Sequence, residues 1–165
     1  MSVKSEMEKF ISHYQMESHP EGGWYKETYR SEISTNITDL GARSLMTSIY
    51  FLLESHQVSN FHVIKSDEMW FYHSGSSLTV HCIYPNGEYE KLLIGPDVEN
   101  GQTFQALVPK GTIFGSTVDA EKTFSMVGCT VAPGFDFQDF KLFKRNELLD
   151  LYPQHSDIIN KLTSH

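Results

Sequence analysis

Cysteine and positive charge are both scarce in this sequence. Only Cys82 and Cys129 occur among 165 residues, too few for a disulfide framework and wrongly spaced for a zinc site. Lysine and arginine total 13 against 21 aspartates and glutamates, a net charge of −8 with the histidines neutral. Such a chain offers no basic stripe for nucleic acid or an anionic membrane, both of which bind through phosphate charge. No apolar run approaches the roughly 20 residues that cross a bilayer. The opening MSVKSEMEKF lacks the apolar core of a secretory signal, so a soluble cytoplasmic protein is expected. Repeats, linkers and low-complexity tracts are missing as well, which leaves one domain over 1–165.

Apolar material is plentiful by contrast, with 39% hydrophobic and 13% aromatic residues, enough for a sizeable core. Val3, Met7, Phe10, Ile11 and Tyr14 share one helical face. They predict a helix over 3–17, stopped by the breakers His19-Pro20-Glu21-Gly22-Gly23. From 24 to 143 the pattern changes to short runs rich in Tyr, Phe, Ile, Val and Thr. These runs cover 44–53, 60–64, 68–73, 78–84, 89–94, 103–108, 112–116 and 123–131. Asn86-Gly87 between two of them predicts a tight hairpin with a type I′ turn. Asn100-Gly101 and Pro109-Lys110-Gly111 mark further turns. No helix-length segment intervenes, so the expected fold is all-β, a sandwich or barrel. The tail turns helical again, with Asn146 read as the cap of 147–151, Pro153 as a stop, and Ser156 as the cap of 157–162. The expected organisation is a helix over 1–17, a barrel over 18–143 and a helical tail over 144–165.

Eight histidines invite metal and acid–base readings. His19, His56, His155 and His165 lie in loop-like or terminal stretches and are expected at the surface. His62 and Glu68 are the informative pair, because both share even numbering with Ile64, Trp70 and Tyr72. If their strands form a hairpin in regular pleat, both side chains face one aromatic side. His73 has the other parity, and His81 alternates against the apolar set Leu78, Val80 and Cys82. Tyr25, Glu27 and Tyr29 share parity in a strand-like run. Cys82 and Cys129 sit in apolar runs and are expected to be small buried hydrophobes. No helix follows Gly22-Gly23, so this pair is not a phosphate loop and is read as freeing the chain to enter the barrel.

His62, Glu68 and Gly75, followed by Pro109 and Gly111, resemble the two signature motifs of the cupin superfamily. Two of the four metal-ligand positions differ, since Ile64 and Phe114 stand where that pattern has histidine. Longer stretches are similar to the fifth cupin domain family, an uncharacterised group. They are HPEGGWYKETYRS at 19–31, SIYFLL at 48–53, Phe61-His62 with SDEMW at 66–70, and VGCTVAPGFDF at 127–137. The resemblance spans about 16–143. It implies a double-stranded β-helix, the jelly-roll cupin barrel, and a homodimer; it implies no settled reaction.

The resemblance also frames the chemistry. Metal-binding cupins use three histidines and one glutamate, of which this chain keeps His62 and Glu68, so neither metal nor other cofactor is expected. Metal-free cupins that epimerise sugar nucleotides resemble the remaining set, with a His base and a Tyr acid. On that basis His62 is the expected base, Glu68 its orienting carboxylate, and Tyr25, Tyr29, Tyr50 or Tyr72 the acid. Tyr25, Glu27, Tyr50, Ile64, Trp70, Tyr72, His81 and Phe114 are expected to line the ligand pocket. The leading function is a metal-independent isomerase or epimerase acting on a sugar-like small molecule. A non-catalytic metabolite-binding cupin and, behind it, a metal-dependent dioxygenase are the alternatives. The expected partners are a small-molecule ligand and a second copy of the chain, with neither nucleic acid nor membrane.

Overall fold

The computed structural model describes residues 2–164, so His165 lies outside the described residues. Helix α1 (Val3–His13) starts at Ser2, whose hydroxyl accepts the Ser5 N–H. The strands are β1 (Glu17–Ser18), β2 (Trp24–Arg30), β3 (Ser34–Ile37), β4 (Gly41–Ser44), β5 (Thr47–Glu54), β6 (Val58–Val63) and β7 (Asp67–Gly75). They continue as β8 (Leu78–Ile83), β9 (Tyr89–Ile94), β10 (Gln105–Val108), β11 (Ile113–Val118), β12 (Phe124–Ala132) and β13 (Lys141–Leu142). Helices α2 (Arg145–Leu151) and α3 (Ser156–Lys161) end the chain. Lys144 caps α2 in place of the expected Asn146, its N–H donating to the Glu147 carboxylate at 2.9 Å.

One sheet runs β1-β2-β5-β12-β7-β10 and faces a second that runs β13-β6-β11-β8-β9; the β3–β4 hairpin stands apart. This is the expected all-β jelly roll with helices outside it. The expected β6–β7 hairpin does not form. His62 pairs with Phe114 on β11 in one sheet, while Glu68 pairs with Val108 and Val131 in the other. The corner between β6 and β7 therefore carries the chain across the sandwich. Both side chains still point inward, from opposite walls. The β8–β9 hairpin does form, but with a wider turn than type I′. Gly87 has φ +85° whereas Asn86 does not have positive φ, and the Gly87 N–H donates to Tyr84 O.

Three apolar clusters hold the layers together. Phe51, Leu53, Trp70, Val80, Phe114 and Val127 belong to the one between the sheets. Phe61, Ile83 and Ile113 on the outer face of the smaller sheet pack under Leu148, Ile159 and Leu162 of the helical tail. Leu52, Phe124 and Met126 on the outer face of the larger sheet pack under Met7, Phe10 and Ile11 of α1. Each fully buried Leu, Ile or Phe contributes about 1.5–3 kcal/mol, so two-faced burial is a large share of the stability. The chain's own helices thus pack on the apolar outer faces of both sheets. The dimer expectation then rests on the family resemblance. Among the described residues, no helix is long and apolar enough to cross a membrane.

Candidate functional site

A cavity of about 240 Å³ opens between the sheets at the end where β6 turns into β7. Its polar lining is His19, Glu21, Glu27, Arg30, Thr47, His62 and Glu68; Tyr25, Ile49, Ile64, Val131, Phe135, Phe137 and Phe140 complete it. The segment 19–23 supplies two of these groups. The Asn60 N–H donates to Glu21 O at 2.7 Å, which ties the turn to β6. Gly22, at φ +115°, lies so close to β6 that a Cβ there would run into Val58 O. Only glycine lets the turn lie flat on the strand and drive Glu21 inward.

Glu21 is the partner of His62. Its Oε2 lies 2.7 Å from His62 Nε2, and both side chains are buried. On the other side of the ring, His62 Nδ1 is 2.7 Å from the Asn60 carbonyl oxygen, which can only accept. Nδ1 therefore carries a proton and donates it. With Nε2 against an ionised carboxylate, the ring holds both protons as an imidazolium. Burial pushes the His62 pKa down, but the charge and hydrogen bond of Glu21 outweigh it and raise the pKa above the ordinary value. Burial likewise pushes Glu21 up, and the neighbouring imidazoles reverse this to hold it below the usual carboxylate range.

Glu68 faces this pair from the opposite sheet and titrates differently. Burial, followed by the charge of Glu21, pushes its pKa up to about 8, with His62 offsetting only part of the rise. At neutral pH the site thus holds Glu21 ionised and Glu68 mainly protonated. His19 adds a third state. The Glu21 N–H donates to His19 Nδ1 at 3.1 Å, so the neutral ring carries its proton on Nε2. Burial lowers the His19 pKa, which keeps the ring neutral.

The mouth is built from β2 and the segment after β12. A register shift between Glu27 and Tyr29 in β2 leaves Tyr29 half exposed and brings Arg30 to the cavity. Arg30 pairs with Glu27 at 2.6 Å and donates to Phe135 O at 3.0 Å. Phe135, Phe137 and Phe140 form an aromatic rim, which the β3–β4 hairpin braces. Arg43 on β4 makes two 2.8 Å hydrogen bonds to the Asp139 carboxylate.

The structure brings Tyr25, Glu27, His62, Ile64 and Glu68 to the cavity, and leaves five other expected lining residues elsewhere. Tyr50 points out of β5 toward Tyr14 and His73. Tyr72 packs on the main core and donates its hydroxyl to Gly75 O. Trp70 and Phe114 are buried against each other, with the Phe114 ring 4.2 Å from His62, and line no part of the cavity. His81 lies on the outer face of its sheet, as its alternation implies. There it bonds Tyr89 and Thr117, and burial pushes its pKa down to about 4. His62 as a free base is corrected too, since acceptors occupy both of its nitrogens. His19, expected at the surface, is one of the cavity's buried polar groups. Glu21, Arg30 and the phenylalanine rim went unread. For His19 and Glu21 the reason is local, since 19–23 is the turn between β1 and β2 and strand alternation does not carry across it.

The residues present do not fit a metal of the cupin type. Ile64 and Phe114 offer no donor atom, and both nitrogens of His62 are already engaged. Among the described residues, no group of three or more His, Cys, Asp or Glu is arranged to hold a metal ion. The cysteines offer no nucleophile. Burial pushes the Cys82 thiol up to about 12 and that of Cys129 well above its ordinary value.

The family model described as "Cupin superfamily (DUF985)" matches residues 8–143. The crystal structure of protein SO0799 from Shewanella oneidensis is 44% identical to this chain, with a TM-score of 0.90 and 99% of each chain covered. A hypothetical protein from Leishmania major is 38% identical, with a TM-score of 0.90 over 96% of this chain and 98% of that one. The uncharacterized protein YML079W of Saccharomyces cerevisiae is 28% identical over 159 residues, covering 88% of this chain and 79% of its own. The matched stretch takes in both sheets and every residue of the cavity, and the chain belongs to the DUF985 family of the cupin superfamily.

Proposed function

We propose that the cavity binds a sugar-like hydroxycarbonyl compound and isomerises it by metal-independent proton transfer, with Glu68 carrying the proton. The observation that carries this reading is the enclosure of Glu68 opposite the Glu21–His62 pair, in a small cavity with an aromatic rim. A carboxyl with pKa about 8 is a much stronger base than an ordinary one, yet a usable fraction stays ionised near neutral pH. Ionised Glu68 takes the proton from the carbon beside the substrate carbonyl. The C–H electron pair becomes the C=C bond of an enediol, and the negative charge moves to the carbonyl oxygen. His19, with its proton on Nε2, is suited to donate to that oxygen. Glu68 then returns its proton to the former carbonyl carbon. His19 Nε2 takes the proton of the neighbouring hydroxyl, whose O–H electron pair becomes the new C=O bond, so both groups end as they began. His62 acts as a positioning residue, keeping Glu21 ionised and so keeping the Glu68 pKa high. The phenylalanine rim and Tyr25 suit the C–H face of a sugar.

The test is incubation of hydroxycarbonyl sugars with the protein in D₂O, followed by proton NMR. Deuterium is expected at the carbon beside the carbonyl, at a rate that rises with pH and levels off near 8. Glu68→Gln is expected to slow exchange by roughly 10²–10⁴-fold. Tight binding of such a sugar with no exchange would favour the non-catalytic metabolite-binding reading instead.

A further inference from the structure

We infer that a groove beside the cavity is an anion subsite, and that the compound handled by the cavity carries a phosphate. This deepens the reading above, because it names the class of the same substrate. The groove measures about 600 Å³ and shares Ile64 and Phe140 with the cavity as a common wall. Three lysines border it from separate parts of the chain. Lys65 follows β6, Lys110 sits in the Pro109-Lys110-Gly111 turn, and Lys141 lies on β13. A chain with 13 basic and 21 acidic side chains has gathered three cations at one rim.

Carboxylates stand near this rim, but two of its three ammonium groups are bound to none of them. Among the described residues, the Lys65 and Lys110 ammonium groups make no hydrogen bond and no ion pair. Asp139 also borders the groove, but the Arg43 fork neutralises it. Asp67 accepts the Lys110 backbone N–H at 2.8 Å, and Lys141 is held 3.2 Å from Glu147. Gly111, at φ +77°, leaves open space where a side chain would stand, so a ligand can approach the backbone of the turn.

Size and sign point the same way. The cavity lies below the roughly 300–1,000 Å³ typical of sites for larger ligands, so anything beyond a single sugar unit has to extend outside it. Inside the cavity each cation is already paired, His62 with Glu21 and Arg30 with Glu27. A phosphate finds no unpaired cation inside, and two across the Ile64–Phe140 wall. The sugar-like end belongs in the cavity and the phosphate among the lysines.

Pyrophosphate alone probes the subsite, by calorimetry and by amide NMR of the full chain at low salt. Binding is expected, with shifts centred on the amides of Lys65, Lys110, Gly111 and Lys141, and it should weaken steeply as salt is raised. The double variant Lys65→Ala/Lys110→Ala should lose at least about tenfold in affinity, whereas Glu68→Gln should lose none. No shift at these amides, or unchanged affinity in the lysine variant, overturns the subsite. The probe never enters the reaction, so the outcome is independent of turnover. Pyrophosphate binding without sugar exchange would refute the isomerase reading while leaving the subsite standing.

Discussion

The Glu21–His62 pair is where most of the electrostatic work at this site is concentrated. A buried ion pair adds little net stability by itself, but removing one partner strands a charge away from water. Sign matters for where this shows. Glu21 has a lowered folded pKa, so its contribution is present above about 4.5 and is lost as pH falls below that. His62 has a raised folded pKa, so its contribution is present below about 6.5 and is lost as pH rises through the folded value. The pair is therefore at full strength between those two values. In that window His62→Ala and Glu21→Gln are each expected to cost about 3–5 kcal/mol in denaturant unfolding. Full stability in both variants would mean that the pair is not formed. At the residue scale the sequence was half legible. The parity of His62, Ile64 and Glu68 placed all three inside correctly. Glu21 was hidden because Pro20, Gly22 and Gly23 read as turn chemistry, and nothing local says that such a turn lies flat on β6.

At the scale of elements, the β3–β4 hairpin has a purpose that its position outside both sheets explains. It contributes little to the main core, but its Arg43 reaches the 3₁₀ turn Phe137–Asp139 and holds the aromatic rim in place. The Asp139 carboxyl stays below its ordinary pKa chiefly through the Arg43 hydrogen bonds. Arg43→Ala is expected to speed amide hydrogen exchange across 134–140 by roughly tenfold while leaving β5 and β12 protected. Equal protection in the variant would show that the rim stands without its brace. Alternating apolar runs and Gly-rich turns made β5 to β12 readable from sequence. This hairpin was not, because Ser34, Thr35 and Asn36 carry little apolar signal and Arg43 is buried only through a partner 96 residues away.

For the molecule as a whole, legibility followed the source of the information. Strands β5 to β12 and the outer helices were readable because each rests on local periodicity and burial. Which strands face each other across the sandwich was not, since the corner between β6 and β7 looks like a hairpin turn in sequence. The cavity exists because that corner sends His62 and Glu68 to opposite walls, where burial keeps Glu68 mainly protonated near neutral pH. Its raised pKa means that the folded protein binds a proton which the unfolded chain gives up above about 4.5. The Glu68 contribution is therefore full below about 4.5 and lost as pH rises to about 8. Comparing unfolding free energies of the native chain and Glu68→Gln at steps across that range isolates this one group. The native chain is expected to lose stability relative to the variant as pH rises, on the order of a few kcal/mol by pH 8. A difference that stays flat across the range, or that favours the native chain as pH rises, would contradict it.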